Sequence, residues 1–426
     1  MTIKIALLGF GTVASGVPFL LRENAEKITT AAGSNIEIAK VLVRDDAEKN
    51  SLIEKGHQYN FVTSIDDILT DSDIDIVIEL MGRIEPAKTF ITQALQAKKH
   101  VVTANKDLLA LHGAELLAIA AENDVALYYE AAVAGGIPIL RTLVNSYQSD
   151  KITKILGVVN GTSNFMMTKM VDEGWTYDEA LAEASRLGYA ESDPTNDVDG
   201  IDAAYKMVLL SQFAFGMTIN FDDVRHEGIR NITPEDVDLA QKLGFVIKLV
   251  GEIVERKSGI YAEVVPTFLP IEHQLATVNG VMNAVFVESI GIGEAMFYGP
   301  GAGQKPTATS VVADIIALSQ GINKGEKLLP FNTFTRDTVY AQKEDLLDKY
   351  YFAIETEDKA GQLLLLAELF NAEKASFEQV FQENIDENRA SIAIISHKMD
   401  LNQFDSLVEK IAALPGFTLR NTIKVI

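Results

Sequence analysis

Short apolar runs and amphipathic stretches alternate through the first third of the chain. Ile3–Leu8 is apolar except for Lys4, and Ile36–Val43 is rich in β-branched residues. Both read as buried strands. A helical pattern fills Thr12 to about Ile28, and another runs from Pro86 to Lys98. Ile74–Leu80, His100–Thr103 and Ala126–Glu130 supply further strands. Strand and helix in repetition predict a doubly wound α/β domain over residues 1–137, with helices on both faces of a parallel sheet.

The pattern changes after Pro138. Helical periodicity covers Arg141–Ser146, Asn164–Glu173, Thr176–Leu187 and Gly200–Phe215, and strands are predicted at Ile152–Val159, Lys248–Val254 and Ile260–Phe268. Residues 138–305 therefore read as an α+β region. A helix over residues 306–320 follows and is expected to pack back on the first domain. Residues 321–349 carry Gly, Pro, Asn and many charges, and read as a linker. The tail, 350–426, has strands at Tyr350–Glu355, Phe377–Phe381, Arg389–Ser396 and Thr418–Val425, with helices at Gln362–Phe370 and Leu401–Leu414. That βαββαβ order predicts a ferredoxin-like unit.

Composition narrows the chemistry. The 426 residues suit two or three domains, and their formal net charge is −23. Such an acidic chain repels phosphate backbones and anionic lipid, which argues against nucleic-acid or membrane partners. There is no cysteine, so disulfides, thiolate zinc and thioester-forming aldehyde dehydrogenase chemistry are excluded. The absence fits a reducing, cytoplasmic setting. The uncharged stretch Ile5–Leu21 contains Gly9, Gly11, Gly16 and Pro18, which suit a strand running into a glycine turn better than a leader segment.

Five motifs carry candidate chemistry. Gly9-Phe10-Gly11-Thr12-Val13-Ala14 joins a strand to a helix in the manner of a dinucleotide turn, with Ala14 where glycine is usual. At the end of the second strand, Arg44 favours a 2′-phosphate and Asp45 a free ribose hydroxyl; with Arg44 first, NADP is preferred over NAD. Glu191 to Lys206 holds five carboxylates, and Asp202 and Lys206 share a helix face at i and i+4. The same run also reads as a solvated acidic loop with a surface ion pair. Lys106 follows a strand at its carboxyl end, where ligands of open sheets bind, although a lone lysine there is commonly a surface residue. Asn160-Gly161-Thr162-Ser163-Asn164 reads equally as a helix cap at Ser163 or Asn164. Glu130 to Pro138 combines one acid with small residues, which suits a monovalent cation or a tight crossover. The six histidines lie outside these clusters, so proton transfer falls to lysine, a carboxylate or water.

Together these motifs resemble homoserine dehydrogenases over nearly the whole chain. The most specific part is Ala184, Gly188-Tyr189-Ala190-Glu191, Asp193-Pro194, Asp197, Gly200, Asp202 and Lys206. Gly9–Val13, Val102–Lys106, Asn160–Thr162 and Gly299-Pro300-Gly301-Ala302-Gly303 agree with it, and Asp358–Gly361 in the tail resembles an ACT domain. The resemblance implies reversible, NAD(P)-dependent interconversion of L-aspartate 4-semialdehyde and L-homoserine, a step of threonine and methionine synthesis. It implies Lys206 as proton donor, Asp202 as its orienting partner and Lys106 between cofactor and substrate. Glu191 and Asp197 would hold the substrate ammonium, near Tyr189, Gly161 and Thr162. Gly9, Phe10, Gly11, Thr12, Val13, Arg44, Lys106 and Gly303 would meet the cofactor. Carbonyls of Glu130, Val133, Gly135 and Ile137 would hold sodium. A homodimer or homotetramer, and threonine or a related amino acid as effector at the tail, are further expectations. The competing reading is an amino-acid-sensing regulator that keeps the fold without catalysis.

Overall fold

The computed structural model describes residues 2–426. The first region runs β1 (Thr2–Leu8), α1 (Thr12–Glu23), α2 (Ala25–Ala32), β2 (Asn35–Leu42), α3 (Asp46–Glu54), β3 (Phe61–Val62), α4 (Asp66–Leu69), β4 (Ile74–Glu79), α5 (Ala87–Gln96), β5 (His100–Thr103), α6 (Lys106–Glu122) and β6 (Leu127–Tyr128). Its six strands form one parallel sheet in the order β3-β2-β1-β4-β5-β6. The order reverses between β1 and β4, which opens a crevice at the carboxyl ends of those strands. Strand alternation sends Ile3, Ile5, Leu7, Ile76 and Ile78 to one buried face, and Ala6, Leu8 and Val77 to the other.

Two expectations need correction here. The helix read over Thr12–Ile28 is two helices, because the backbone leaves the helical region at Asn24. The strand read at Ala126–Glu130 shrinks to β6, because Glu130–Ala132 forms a 3₁₀ turn.

The second region contains α7 (Ile139–Ser146), β7 (Ile152–Val158), α8 (Gly161–Glu173), α9 (Tyr177–Arg186), α10 (Thr195–Val198), α11 (Ile201–Phe215), β8 (Arg225–His226), α12 (Pro234–Lys242), β9 (Phe245–Arg256), β10 (Gly259–Pro270), β11 (Met282–Ser289), β12 (Gly293–Pro300) and α13 (Gln304–Lys324). Sequence periodicity missed α12 and the β11–β12 hairpin. β12 is a largely exposed edge strand, so it has no core face to impose alternation. α13 runs alongside α1, with Gln304 Nε2 donating to Ser15 Oγ at 2.7 Å. The approach is close enough that a Cβ at Gly16 would sit 2.8 Å from Ala308 Cβ, so only glycine fits.

The tail contributes β13 (Leu347–Glu357), α14 (Gln362–Ala372), β14 (Phe377–Asn384), β15 (Arg389–Ser396), β16 (Met399–Asp400), α15 (Leu401–Ala413) and β17 (Phe417–Val425). Its strand order, β17-β13-β15-β14, is that of a ferredoxin-like sheet. The sheet continues into the second region through parallel pairing of β10 with β17, giving eleven strands in all. The charged stretch expected as a linker is instead a packed strap. Its first residues extend α13, Phe331 stacks on Tyr128 at 4.8 Å, and Arg336 N donates to Gly216 O at 2.7 Å.

Candidate active site

At the crevice, Gly11 is the N-cap of α1 and Gly303 the N-cap of α13, and neither helix start has a side-chain cap. The two helices pack together near their starts, where Gln304 meets Ser15 and Ala308 meets Gly16. A Cβ at Gly11 would meet nothing within 4 Å, so the turn at Gly11 borders open space. Gly9 takes φ +87°, and Phe10 is buried against His57, Tyr59 and Phe61. Unpartnered helix N-termini facing open space suit a diphosphate. At the end of β2, Arg44 is exposed and its Nε lies 2.8 Å from Asp45 Oδ2. Asp45 also caps α3 through Glu48 N at 2.8 Å, so its carboxylate is already engaged.

The candidate reacting groups converge from both regions. α11 starts after Gly200 and brings Asp202 and Lys206 onto one buried face. Asp202 Oδ2 lies 2.7 Å from Lys206 Nζ, and its Oδ1 lies 3.1 Å from Lys106 Nζ at the start of α6. One carboxylate thus separates two ammonium groups. Lys206 also donates to the Val159 carbonyl at 2.5 Å. Lys106 also pairs with Asp107 at 3.2 Å. An ammonium has three N–H donors. Lys206 uses two of them, on Asp202 and on the Val159 carbonyl, which leaves one of its N–H groups without a partner in the protein.

Burial alone would push the Asp202 carboxyl up, but the two lysines hold it well below the usual carboxylate range. Burial likewise works against the charge on Lys106, and Asp202 and Asp107 outweigh it, raising Lys106 above an ordinary lysine. Asp197 moves the other way. Burial raises its carboxyl, with a smaller opposing pull from Asn160.

Asn160 is the residue that sequence reasoning undervalued. The helix cap was expected at Ser163 or Asn164, but Asn160 is the N-cap of α8, with Oδ1 accepting from Ser163 N at 2.8 Å. Its Nδ2 donates to Asp197 Oδ1 at 2.7 Å and to Asp202 Oδ2 at 2.9 Å. The clue was an asparagine directly before the first apolar-periodic turn, with Ser163 three residues on. Asn283 was also missed; its Nδ2 donates at 2.9 Å to the same Val159 carbonyl that Lys206 uses.

The other candidates fall at varied distances from this cluster. Thr162 Oγ1 donates to the Tyr189 carbonyl at 2.7 Å, next to Gly161 at the start of α8. The Tyr189 ring is exposed and meets Phe165 edge-on. Glu191 is exposed on the segment leading to α10, outside the buried cluster. Asp193 and Asp199 are spent locally, on Thr195 N and on Arg230.

The Glu130–Ile137 segment is buried and bends through Ala134 at φ +50°. Its Gly135 carbonyl accepts from Ser310 Oγ at 2.6 Å and its Ile137 carbonyl from Ile139 N at 2.8 Å, whereas the Glu130 carbonyl takes only a long contact of 3.5 Å from Val133 N. The Glu130 carboxylate faces away from that role, accepting from Leu140 N and Arg141 N at 2.9 and 2.7 Å.

The geometry agrees with what comparison finds. A homoserine dehydrogenase family model matches residues 138–316, and a model described as the NAD-binding domain of homoserine dehydrogenase matches residues 9–130. The chain is 58% identical to a homoserine dehydrogenase of Lactococcus lactis, over all of both chains. A crystal structure of a homoserine dehydrogenase from Thiobacillus denitrificans superimposes with a TM-score of 0.94 at 37% identity, covering 100% of this chain and 98% of that one. A hyperthermophilic archaeal homoserine dehydrogenase in complex with NADPH aligns with a TM-score of 0.63 at 28% identity, covering 75% of this chain and 98% of that one. With a nicotinamide-type fold on one side of the cleft and a lysine–carboxylate–lysine cluster on the other, the chain belongs to the homoserine dehydrogenase family, whose members are NAD(P)-dependent oxidoreductases.

Proposed function

We propose that the Asp202 cluster carries the reversible reduction of L-aspartate 4-semialdehyde to L-homoserine. One observation carries this reading: two lysines, one from each region, share the single buried carboxylate of Asp202. Bound nicotinamide supplies or accepts the hydride. Negative charge grows on the aldehyde oxygen during reduction, and the free N–H of Lys206 stabilises it and then delivers the proton. Asp202 holds Lys206 in place through its 2.7 Å contact, and Lys106 adds a second positive charge at the cofactor side. Asp197 offers its carboxylate to the substrate ammonium, with Asn160 holding it in place. Glu191 is the second candidate for that ammonium and would reach it by movement of its exposed segment. A silent regulator would have no use for a buried arrangement of this cost.

The exposed Arg44 side chain, and an Asp45 engaged by Arg44 and as a cap, support preference for NADP(H) over NAD(H). The NADPH-bound relative is consistent with that preference. The weakly bonded Glu130 carbonyl supports a sodium ion at Glu130, Val133, Gly135 and Ile137, whose role would be to stiffen the crossover between regions. The strand order of the tail supports an ACT module that senses threonine or a related amino acid. Edge strand β12, with Met296 and Tyr298 exposed, supports pairing with a second copy in a homodimer or larger oligomer. The same reading puts the enzyme in the cytoplasm, in threonine and methionine synthesis.

The test is nicotinamide absorbance with L-homoserine and NADP⁺ or NAD⁺, with and without threonine. Homoserine-dependent reduction, faster with NADP⁺, is the expected result. Silence with both cofactors at alkaline pH would overturn the catalytic assignment.

A further inference from the structure

Glu79 ends β4 with its side chain fully buried, next to the point where the strand order reverses. A buried carboxylate is costly unless donors converge on it. Here Oε1 accepts from Met81 N at 2.7 Å and Gly82 N at 3.2 Å, and Oε2 accepts from Thr103 Oγ1 at 2.6 Å. Thr103 Oγ1 accepts in turn from Asn105 N at 3.0 Å. One carboxylate therefore grips the loop leaving β4 and, through Thr103, the loop leaving β5.

Each loop leads to a different part of the site. The β4 loop carries Met81, whose side chain lies against the cofactor turn: a Cβ on Gly9 would be 3.0 Å from Met81 Cγ. The β5 loop carries Asn105, which is further anchored by donating to the Arg83 carbonyl at 2.6 Å and which caps the helix that opens with Lys106. Lys106 then reaches Asp202. An amide in place of Glu79 has one acceptor oxygen where the carboxylate has two, so if that oxygen keeps the backbone N–H groups, its NH₂ faces Thr103 Oγ1 and the hydroxyl must turn its O–H away.

We propose that Glu79 is a positioning residue that sets the dinucleotide turn and the Lys106 loop together, as a single clamp. The proposal rests on the function above only for the part played by Lys106; the cofactor arm stands on binding alone.

The experiment compares Glu79→Gln, Thr103→Val and Thr103→Ser in the full-length protein. NADPH fluorescence titration reads cofactor binding, and steady-state assays read kcat and KM. Glu79→Gln is expected to weaken NADPH binding about tenfold and to lower kcat as well. Thr103→Val severs only the Lys106 arm, so kcat should fall about tenfold while NADPH binding stays within about twofold. Thr103→Ser keeps the hydroxyl and should restore kcat. Folded Glu79→Gln that binds NADPH and turns over like the parent would overturn the clamp. If Glu79→Gln does not fold, the Thr103 pair decides: equal kcat for the Val and Ser variants overturns it. Should the parent protein bind NADPH yet not oxidise homoserine, the reaction assignment fails, and the fluorescence titrations still judge Glu79.

Discussion

Lys106 and Asp202 meet at 3.1 Å, and that contact joins the parallel-sheet region to the second region within the candidate site. Lys106 opens α6 in the first region, and Asp202 lies in the first turn of α11 in the second. The pair places Lys106 beside the same carboxylate that holds Lys206.

Replacing Asp202 by Asn should therefore damage chemistry far more than cofactor binding. Both lysines lose their shared counter-charge, and kcat should fall about a hundredfold or more while the NADPH dissociation constant stays within about threefold. Steady-state kinetics with a fluorescence titration checks both. The signs of the shifts add a pH expectation. Asp202 is held below the usual carboxylate range, so its stabilising charge is present above about pH 4 and is lost only as pH falls through its depressed value. Lys106 is raised, so its contribution persists below about pH 10 and is lost as pH climbs through its raised value. Neither group should produce an inflexion between about pH 5 and 9.

Asn160 bridges Asp197 and Asp202 through one amide NH₂ group. Asn160→Ala removes the bridge and should raise KM for homoserine and lower kcat, each about tenfold. Asn160→Asp puts a third carboxylate against two others and should be worse than Ala. An Asp variant as active as the Ala variant would show that the bridge does not hold the two acids.

Arg44 projects into solvent beyond its contact with Asp45. Arg44→Ala should lower the preference for NADP⁺ over NAD⁺ about tenfold, by raising KM for NADP⁺ alone. Comparison of kcat/KM for the two cofactors reads this directly. Unchanged selectivity would move the 2′-phosphate contact elsewhere.

The parts of this molecule that were legible in sequence are those whose physics is local. Buried parallel strands are continuous apolar runs, so β1, β4 and β5 stood out. Gly9 and Gly11 mark a turn that only a few residue types can make, and Asp202 and Lys206 share a helix face by arithmetic. What stayed hidden depends on contacts between distant segments. Asp202 sits between Lys206, four residues away, and Lys106, which no spacing rule connects to it. Asn160 looked like a flanking residue because its carboxylate partners lie 37 and 42 positions further on. The strap around Phe331 read as a linker because its charges are real, and its few apolar anchors are too sparse to give a period. The seam between β10 and β17 pairs only Thr267 with Lys424 and Phe268 with Val425, too short a match to leave a pattern.

At that seam Lys424 is buried among Glu252, Glu263 and Asp348, lying 2.6 Å from Glu263 Oε1 and 3.0 Å from Asp348 Oδ2. Lys424→Met would strand those carboxylates, with only Lys154, Arg225 and Tyr261 left nearby. Removing one partner from a buried charge cluster costs about 3–5 kcal/mol. The expected outcome is a lower melting temperature, with the tail released before the rest in a two-step transition. A single transition at the parental temperature would mean that backbone pairing alone holds the seam.

The pair Glu130 and Asp314 makes the opposite kind of pH prediction. Arg141 reaches both carboxylates, and Asp314 Oδ2 also accepts from Glu130 N at 2.9 Å. Burial nonetheless pushes each carboxyl up to about 7, with Arg141 offsetting only part of the cost. A folded-state value above the unfolded value of about 4 means the native state binds the extra proton between the two. Stability from these groups should therefore decline as pH rises from about 4 to about 7, and level off above that. Asp314→Asn mimics the protonated acid and cannot titrate. Relative to the parent, its stability should improve steadily from pH 5 to about pH 7 and then stay level. Chemical denaturation of both proteins across that range measures the difference. A constant gap between the two curves would mean that Asp314 ionises in the folded protein as readily as in the unfolded chain, with Arg141 fully compensating its burial.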